Sequence, residues 1–498
     1  MSRESRPVLA LLAIILLGNL LRIFDLGSES LWLDEATSVV WSQASLVSVA
    51  ESSGTLHNQP PLYFALLHFW MLLFGTGEIA ARSLSAIFGI ISVFLIYQVG
   101  CRLFNRRVGL ISSFLSAISY YYIYYSQEAR AYSLLLLLTL LSFFFFITIL
   151  KAENTRKWHF PCYFLCNLFL AYTHVYALFV IASQVFYFLL FWGKYRRLRS
   201  RFLGVQIATA AFFSPWIPTF LGRVSAISKG FWISEPSSAS LADTIATYIG
   251  SGWGRLLLVL VFSCLCLMGL FAIERLSGKW ALSRPIQSLK GLSWNISLGP
   301  AEEILLLLVW FAFPIVIPFF ISQVSTPIYF TKYTIGASPA LYLLAARGMS
   351  AFNKKAVYAL LMLVAALSLP GLRDYYAHDV KEQWREVAAF IENDSQADDV
   401  IVICASYCQI PFDYYYRGDL ERFGIDPDVT DNEKIAGLVD KAVAGKRRMW
   451  LVLSHQGEAS VKDYLIETYG RSSLLLENRF VEISVCLFDL RVEGTARP

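Results

Sequence analysis

Two adjacent carboxylates, Asp34 and Glu35, stand in LWLDEATSVV, shortly after the apolar run VLALLAIILLGNLL. A carboxylate can take the proton of an attacking hydroxyl or ligate a divalent ion, so the pair offers acid–base or metal chemistry. His57 follows in HNQPPLYF, and Glu78 and Arg82 follow at i,i+4 spacing in GEIAARSLS. Further along come Glu128, Arg130 and Tyr132 in YYSQEARAYS, His174 in YTHVYALF, and Lys332 with Tyr333 in YFTKYT. Arginine and lysine suit a phosphate or any centre where negative charge develops. Histidine suits hydrogen-bond donation or proton transfer.

The elements around these residues are greasy. The 498-residue chain is 56% hydrophobic and only 16% charged, whereas a soluble domain carries roughly 25% charged residues. Apolar stretches of about 18 or more residues, enough to cross a hydrocarbon core, recur along the first three-quarters of the chain. The expected fold is therefore an α-helical polytopic membrane protein with about eleven transmembrane helices. MSRESRPVLALLAIILLGNLL begins like a signal peptide, but no small-x-small cleavage site follows cleanly, so it reads as an uncleaved first helix. The net charge of +5 does not imply nucleic acid, because the basic residues lie in short loops between spans and form no basic strip with interleaved aromatics.

Those basic residues predict orientation. Alternate loops (SRESR, CRLFNRR, KAENTRK, GKYRRLRSR, ERLSGKWALSRPIQSLK and NKK) collect them, and the positive-inside rule puts these loops in the cytoplasm. The loop from residue 25 to 77 holds no Lys or Arg and falls outside, as does everything after Pro370. On that map Asp34, Glu35, His57, Glu78, Arg82, Glu128, Arg130, His174 and Lys332 all fall at the outer face. Ionisable groups at membrane depth are costly and mark functional cavities, so these residues are expected to converge on one outward-facing pocket.

The order of motifs is distinctive: D-E after the first span, then H-x-x-P-P-L-Y, E-x-x-x-R, S-Q-E-A-R-x-Y and Y-T-H. It resembles the GT-C superfamily of bacterial membrane glycosyltransferases, within it the family 39-like group related to protein O-mannosyltransferases and lipid A aminoarabinose transferases. The resemblance spans about residues 8 to 370. It implies a multi-pass enzyme of the bacterial plasma (inner) membrane, with a cytoplasmic N-terminus, that moves a hexosyl or pentosyl unit. The donor would be a polyprenyl-phosphate sugar and the acceptor a lipid, glycan or protein, among membrane lipids and without nucleic acid. Asp34 matches the first-loop acid of the family and would be the catalytic base. Glu35 would orient it, bind acceptor or hold a divalent metal; no other cofactor is implied. Arg130 and Lys332, supported by Arg82, would bind the donor phosphate. His57, Glu78, Glu128, Tyr132, His174 and Tyr333 would support the site. Many relatives carry R-Y where this chain has Lys332-Tyr333, which keeps the charge and loses the bidentate fork.

Blander readings stand beside these. Asp34 and Glu35 could cap an interfacial helix, since acids favour helix N-termini. Glu78 and Arg82 are spaced for an intrahelical ion pair. The SYYYIYYS run reads as an interfacial aromatic belt, and Pro60-Pro61 as a helix start. A lipid-linked sugar transporter or flippase, or a non-catalytic envelope-assembly protein, would also gather charges in a membrane cavity. A transporter would show paired broken helices at the midplane, and here the charges lie near one surface.

Residues 1–371 thus read as the transmembrane domain and 372–498 as a small extracytoplasmic α/β domain. In the latter, VKEQWREVAAFIEN and ASVKDYLIETYG have helical periodicity, while DDVIVICA, RRMWLVLSH and FVEISVCLFDL read as strands. It shows no glycine-rich phosphate loop and no catalytic cluster. Cys404 and Cys408 could pair as a disulfide if this part is extracytoplasmic.

Overall fold

The computed structural model describes residues 5–44, 59–152, 156–227, 233–270, 273–276, 279–282, 301–426, 432–455 and 460–491. His57 lies outside them. Among the described residues five helices are long and apolar enough to cross a membrane: Arg6–Ile23, Glu78–Leu103, Tyr132–Lys151, Ala301–Val324 and Lys354–Ala377. Four shorter apolar helices, Leu62–Phe74, His159–Ala171, Ala177–Leu190 and Arg255–Leu270, accompany them. The chain is a multi-pass membrane protein, and the apolar runs are not all single long helices. HVYALFVIASQVFYFLLFW opens with a turn, and its helix covers only the 14 residues Ala177–Leu190, about 21 Å at roughly 1.5 Å per residue.

The chain divides into two compact units. One comprises residues 1–26, 44–75 and 80–374; the other comprises 27–43, 76–79 and 375–498.

In the first unit, helices Arg255–Leu270 and Ser338–Ser350 approach until their backbones touch. A Cβ on Gly348 would lie 1.9 Å from the Leu265 carbonyl oxygen, and one on Gly269 would lie 2.3 Å from that of Leu344. Small residues let membrane helices pack at such range. Ser338–Ser350 continues directly from the 3-10 stretch Thr331–Ala337, which carries Lys332 and Tyr333. The short helix Tyr120–Ser126 packs nearby. Its Tyr121 and Tyr122 are buried; Tyr121 donates to the Thr331 carbonyl (3.1 Å), and Tyr122 bonds Ser338 Oγ (2.7 Å) and stacks on Tyr342. These two rings are interior rather than part of an interfacial belt, because each hydroxyl finds a partner inside. Arg22 is also buried, and its guanidinium donates to the carbonyls of Gly18, Ser116 and Ala117, tying the end of the first helix to Arg106–Ala117.

The second unit contains a five-stranded sheet. Strand Val400–Cys404 pairs in parallel with Glu421–Ile425 on one side and Arg448–Ser454 on the other. Ile483–Asp489 then runs antiparallel to Arg448–Ser454, and Leu474–Phe480 antiparallel to Ile483–Asp489. The central strands are buried on both faces, as their unbroken apolar runs VIVIC and MWLVL require. Trp384, Val387 and Ile391 of helix Trp384–Asp394 cover one face, with Phe412 of Gln409–Tyr415. Ile435 and Val439 of Asn432–Val443 cover the other, with Leu465 of Ser460–Tyr469. Cys404 and Cys408 are both buried free thiols, so no disulfide joins them. The helix expected from Val380 begins only at Trp384, and this leaves Val380–Gln383 as non-helical chain with consequences described below.

Candidate active site

In the first unit, five of the residues singled out by sequence lie together. Arg130 and Tyr132 flank the start of helix Tyr132–Lys151, His174 sits in the turn between His159–Ala171 and Ala177–Leu190, and Lys332 and Tyr333 lie in the Thr331–Ala337 stretch. The Tyr132 and Tyr333 rings stack with centroids 6.3 Å apart, and the His174 ring lies 5.0 Å from Tyr333 and 6.2 Å from Tyr132. Lys332 Nζ stands 5.8 Å from the Tyr132 centroid and 5.3 Å from that of Phe330. Aromatic walls of this kind hold an ammonium in place without neutralising it.

His174 reports the local field. It is buried, and its pKa is held well below the ordinary value, first by burial and then by the Arg130 and Lys332 charges. The imidazole is therefore neutral at neutral pH. Its Nδ1 accepts the Tyr176 N–H at 3.1 Å, so the remaining proton belongs on Nε2, which becomes a donor. Two cations and one oriented neutral donor thus lie within a single cluster.

The segment that carries Lys332 is fixed by neutral hydrogen bonds. Tyr176 donates to the Ile328 carbonyl (2.7 Å), Tyr248 to that of Thr334 (2.8 Å) and Trp310 Nε1 to that of Gly336 (2.7 Å). The Thr331 and Thr244 hydroxyls bond each other at 2.8 Å. Arg130 is almost buried, its N–H donates to the Glu128 carbonyl (2.8 Å), and its own carbonyl accepts from Ser85 Oγ (3.2 Å). Gln127, the neighbour of buried Glu128, donates to the Arg22 and Phe24 carbonyls at the end of the first helix. Arg82 is buried, and its Nη1 donates to the Leu26 carbonyl at 3.1 Å.

In the second unit, Asp34 and Glu35 lie in the first turn of helix Leu33–Ser42, where acids favour the helix dipole. Successive residues are about 100° apart around a helix, and the two carboxylates have different surroundings. Asp34 is half-buried. Glu35 is 0% exposed, with its Oε2 3.4 Å from Nζ of Lys381, itself 2% exposed. Glu382 lies beside them and is bonded to His455 Nε2. The pKa of His455 is raised, first by the hydrogen bond to Glu382 and also by the charges of Glu382, Asp34 and Glu482, against the opposing effect of burial. Glu78 accepts from Arg385 Nη1 (3.1 Å) and from the Tyr415 hydroxyl (3.0 Å).

Lys381, Glu382, Arg385 and His455 were not singled out by sequence, since each sits in an ordinary amphipathic or strand-edge context. A K-E pair just ahead of a tryptophan was the faint signal. Among the described residues no three or more His, Cys, Asp or Glu side chains group as a metal-ion set.

Residues 58–218 match the family model described as dolichyl-phosphate-mannose-protein mannosyltransferase. The structure is similar to ArnT of Cupriavidus metallidurans, both in its apo state and bound to undecaprenyl phosphate, with a TM-score of 0.61 and 14% identity over 99% of this chain and 100% of that one. It is also similar to the Archaeoglobus fulgidus oligosaccharyltransferase in complex with zinc and sulfate, with a TM-score of 0.55 and 11% identity over 89% of this chain and 68% of that one. No curated protein matches the chain. The chain thus has the fold of the GT-C membrane glycosyltransferases. Its family match and its structural neighbours are glycosyltransferases.

Proposed function

We propose that the protein transfers a sugar from a polyprenyl-phosphate donor to an acceptor at the extracytoplasmic membrane face, inverting the anomeric centre. The observation that carries this reading is the cluster of Arg130, Lys332 and neutral His174. A lipid phosphate leaving group gains negative charge as its bond to the sugar breaks, and cations already in place stabilise that charge without reorganising. Arg130 and Lys332 take the phosphate, and His174 donates from Nε2.

Asp34 acts as the base. In one displacement the acceptor oxygen forms a bond to the anomeric carbon, the bond from that carbon to the phosphate oxygen breaks, and the lipid phosphate leaves with the electron pair. The acceptor proton passes to the Asp34 carboxylate. With its carboxylate against Lys381, Glu35 serves this reading better as an anchor for the helix than as a second base or a metal ligand. Among the described residues no set of three or more His, Cys, Asp or Glu side chains accompanies Asp34 to complete a metal site.

The test is transfer of labelled sugar from an undecaprenyl-phosphate-linked donor by purified variants. Asp34→Asn should keep its expression and thermal profile and lose about 10²–10⁴-fold in turnover, the usual contribution of a positioned base. Wild-type turnover in that variant would reject the assignment. Arg130→Ala should lose about 10²–10³-fold in kcat/KM, as expected for removing one charge-stabilising group. Unchanged kinetics would remove it from the phosphate site.

A further inference from the structure

A helix leaves its first N–H groups without intrahelical partners, and a Ser, Thr, Asp or Asn at the N-cap position ordinarily accepts one of them. The helix bearing Asp34 has Trp32 at that position, with no side-chain capping bond. The acceptor comes from far along the chain: Glu382 Oε2 takes the Leu33 N–H at 3.0 Å. Both oxygens of that carboxylate are engaged, Oε2 also by Trp384 Nε1 and Oε1 by His455 Nε2. The Glu382 side chain is only 5% exposed.

The backbone around it is clasped as well. Ser30 Oγ donates to the Glu382 carbonyl at 2.6 Å, and Glu29 Oε1 accepts the N–H groups of both Val380 and Lys381. One residue beyond Asp34, Glu35 meets Lys381. Every one of residues 380–382 therefore bonds chain between Glu29 and Glu35, on both sides of the helix start.

We propose that Glu382 is a positioning residue for the transfer reaction: it supplies from the C-terminal region the helix cap that the local sequence lacks, and so fixes the direction of the Asp34 carboxylate. The proposal rests on the reading of Asp34 as the base. A reacting group displaced by about 1 Å can lose on the order of 100-fold in rate, so a cap of ordinary strength can govern turnover without governing folding.

The experiment uses the full chain in lipid nanodiscs and has two arms. In amide hydrogen exchange, Glu382→Ala should speed exchange of the 33–36 amides about 5- to 10-fold, the loss expected for one cap, while strands Val400–Cys404 and Arg448–Ser454 keep wild-type protection. Glu382→Gln, whose amide oxygen still accepts, should restore slow exchange. With undecaprenyl-phosphate-linked mannose as the probe donor, Glu382→Ala should lose about 10- to 100-fold in kcat at unchanged KM, and Glu382→Gln should recover most of it. Should Glu382→Ala fail to fold, Glu382→Asp serves in its place, because it keeps the charge but draws the carboxylate back from the Leu33 N–H. Wild-type exchange at residues 33–36 in the alanine or aspartate variant, or loosened exchange with unchanged turnover, overturns the proposal. Wild-type turnover by Asp34→Asn would be a separate failure: it would reject the base while leaving the exchange arm intact.

Discussion

The Thr331–Ala337 stretch and the start of the Leu33–Ser42 helix are held in opposite ways. The first carries Lys332 and is secured by neutral groups: Tyr176, Tyr248 and Trp310 each donate to a backbone carbonyl of residues 328–336. The second carries Asp34 and is secured by charges, with Lys381 against Glu35 and Glu382 against the Leu33 N–H and His455. A set of neutral anchors spreads the restraint over bonds worth about 1 kcal/mol each. An ionic anchor concentrates the restraint in pairs that are costly to split. The cation site is therefore expected to tolerate loss of any single anchor, and the carboxylate site is not.

The largest effect should come from splitting the Glu35–Lys381 pair. Lys381→Met removes the Lys381 charge from beside a buried carboxylate and should cost about 3–5 kcal/mol in chemical denaturation, whereas the Glu35→Gln/Lys381→Met double variant should recover most of that loss. Equal losses in the single and double variants would mean the two side chains act through packing instead. A smaller effect is expected in the other region. Tyr248→Phe removes the donor to the Thr334 carbonyl and should cost about 1 kcal/mol, with transfer still within about threefold of wild type; collapse of activity would contradict the distributed anchoring of Lys332.

The smallest effect is pH-dependent and belongs to the ionic region. The folded-state pKa of His455 lies above its ordinary value because Glu382 accepts its proton-bearing nitrogen. The imidazolium–Glu382 pair is therefore fully present below about pH 6.5 and is lost as pH rises through the raised folded value. His455→Ala should accordingly lower the melting temperature more at about pH 5.5 than at about pH 9. His455 is more than a third exposed, so the difference should be small. A loss independent of pH would show that the ring serves by packing.

Much of this arrangement was legible in advance. The apolar runs announced a membrane protein, and the strand-like segments DDVIVICA and RRMWLVLSH appear as Val400–Cys404 and Arg448–Ser454. Burial on both faces leaves unbroken apolar runs that survive in any one-dimensional reading. The edge strand Glu421–Ile425, ERFGI, is only partly buried and escaped notice because it has neither alternation nor an apolar run. Apolar length does not register where a helix starts: the run HVYALFVIASQVFYFLLFW turns at His174 before its helix begins. Arg130, His174 and Lys332 could each be named from sequence because an ionisable group between apolar spans is conspicuous; Tyr132 and Tyr333 came only from the motif resemblance. Lys381 and Glu382 could not, because charges in a polar stretch look like solvated surface.

The sequence by itself determined the class of molecule and the residue types available for chemistry, both of which follow from local hydropathy and residue identity, and it offered the first turn of a helix as one reading of Asp34 and Glu35. Only the tertiary structure decided that Glu35 faces a buried lysine, that Glu78 is bonded by Arg385 and Tyr415, and that the cap of the Asp34 helix comes from Glu382. These are pairings between residues about 300 to 350 positions apart in the chain. No periodicity records them, because the partner of a charge is chosen by burial and geometry after the chain has folded.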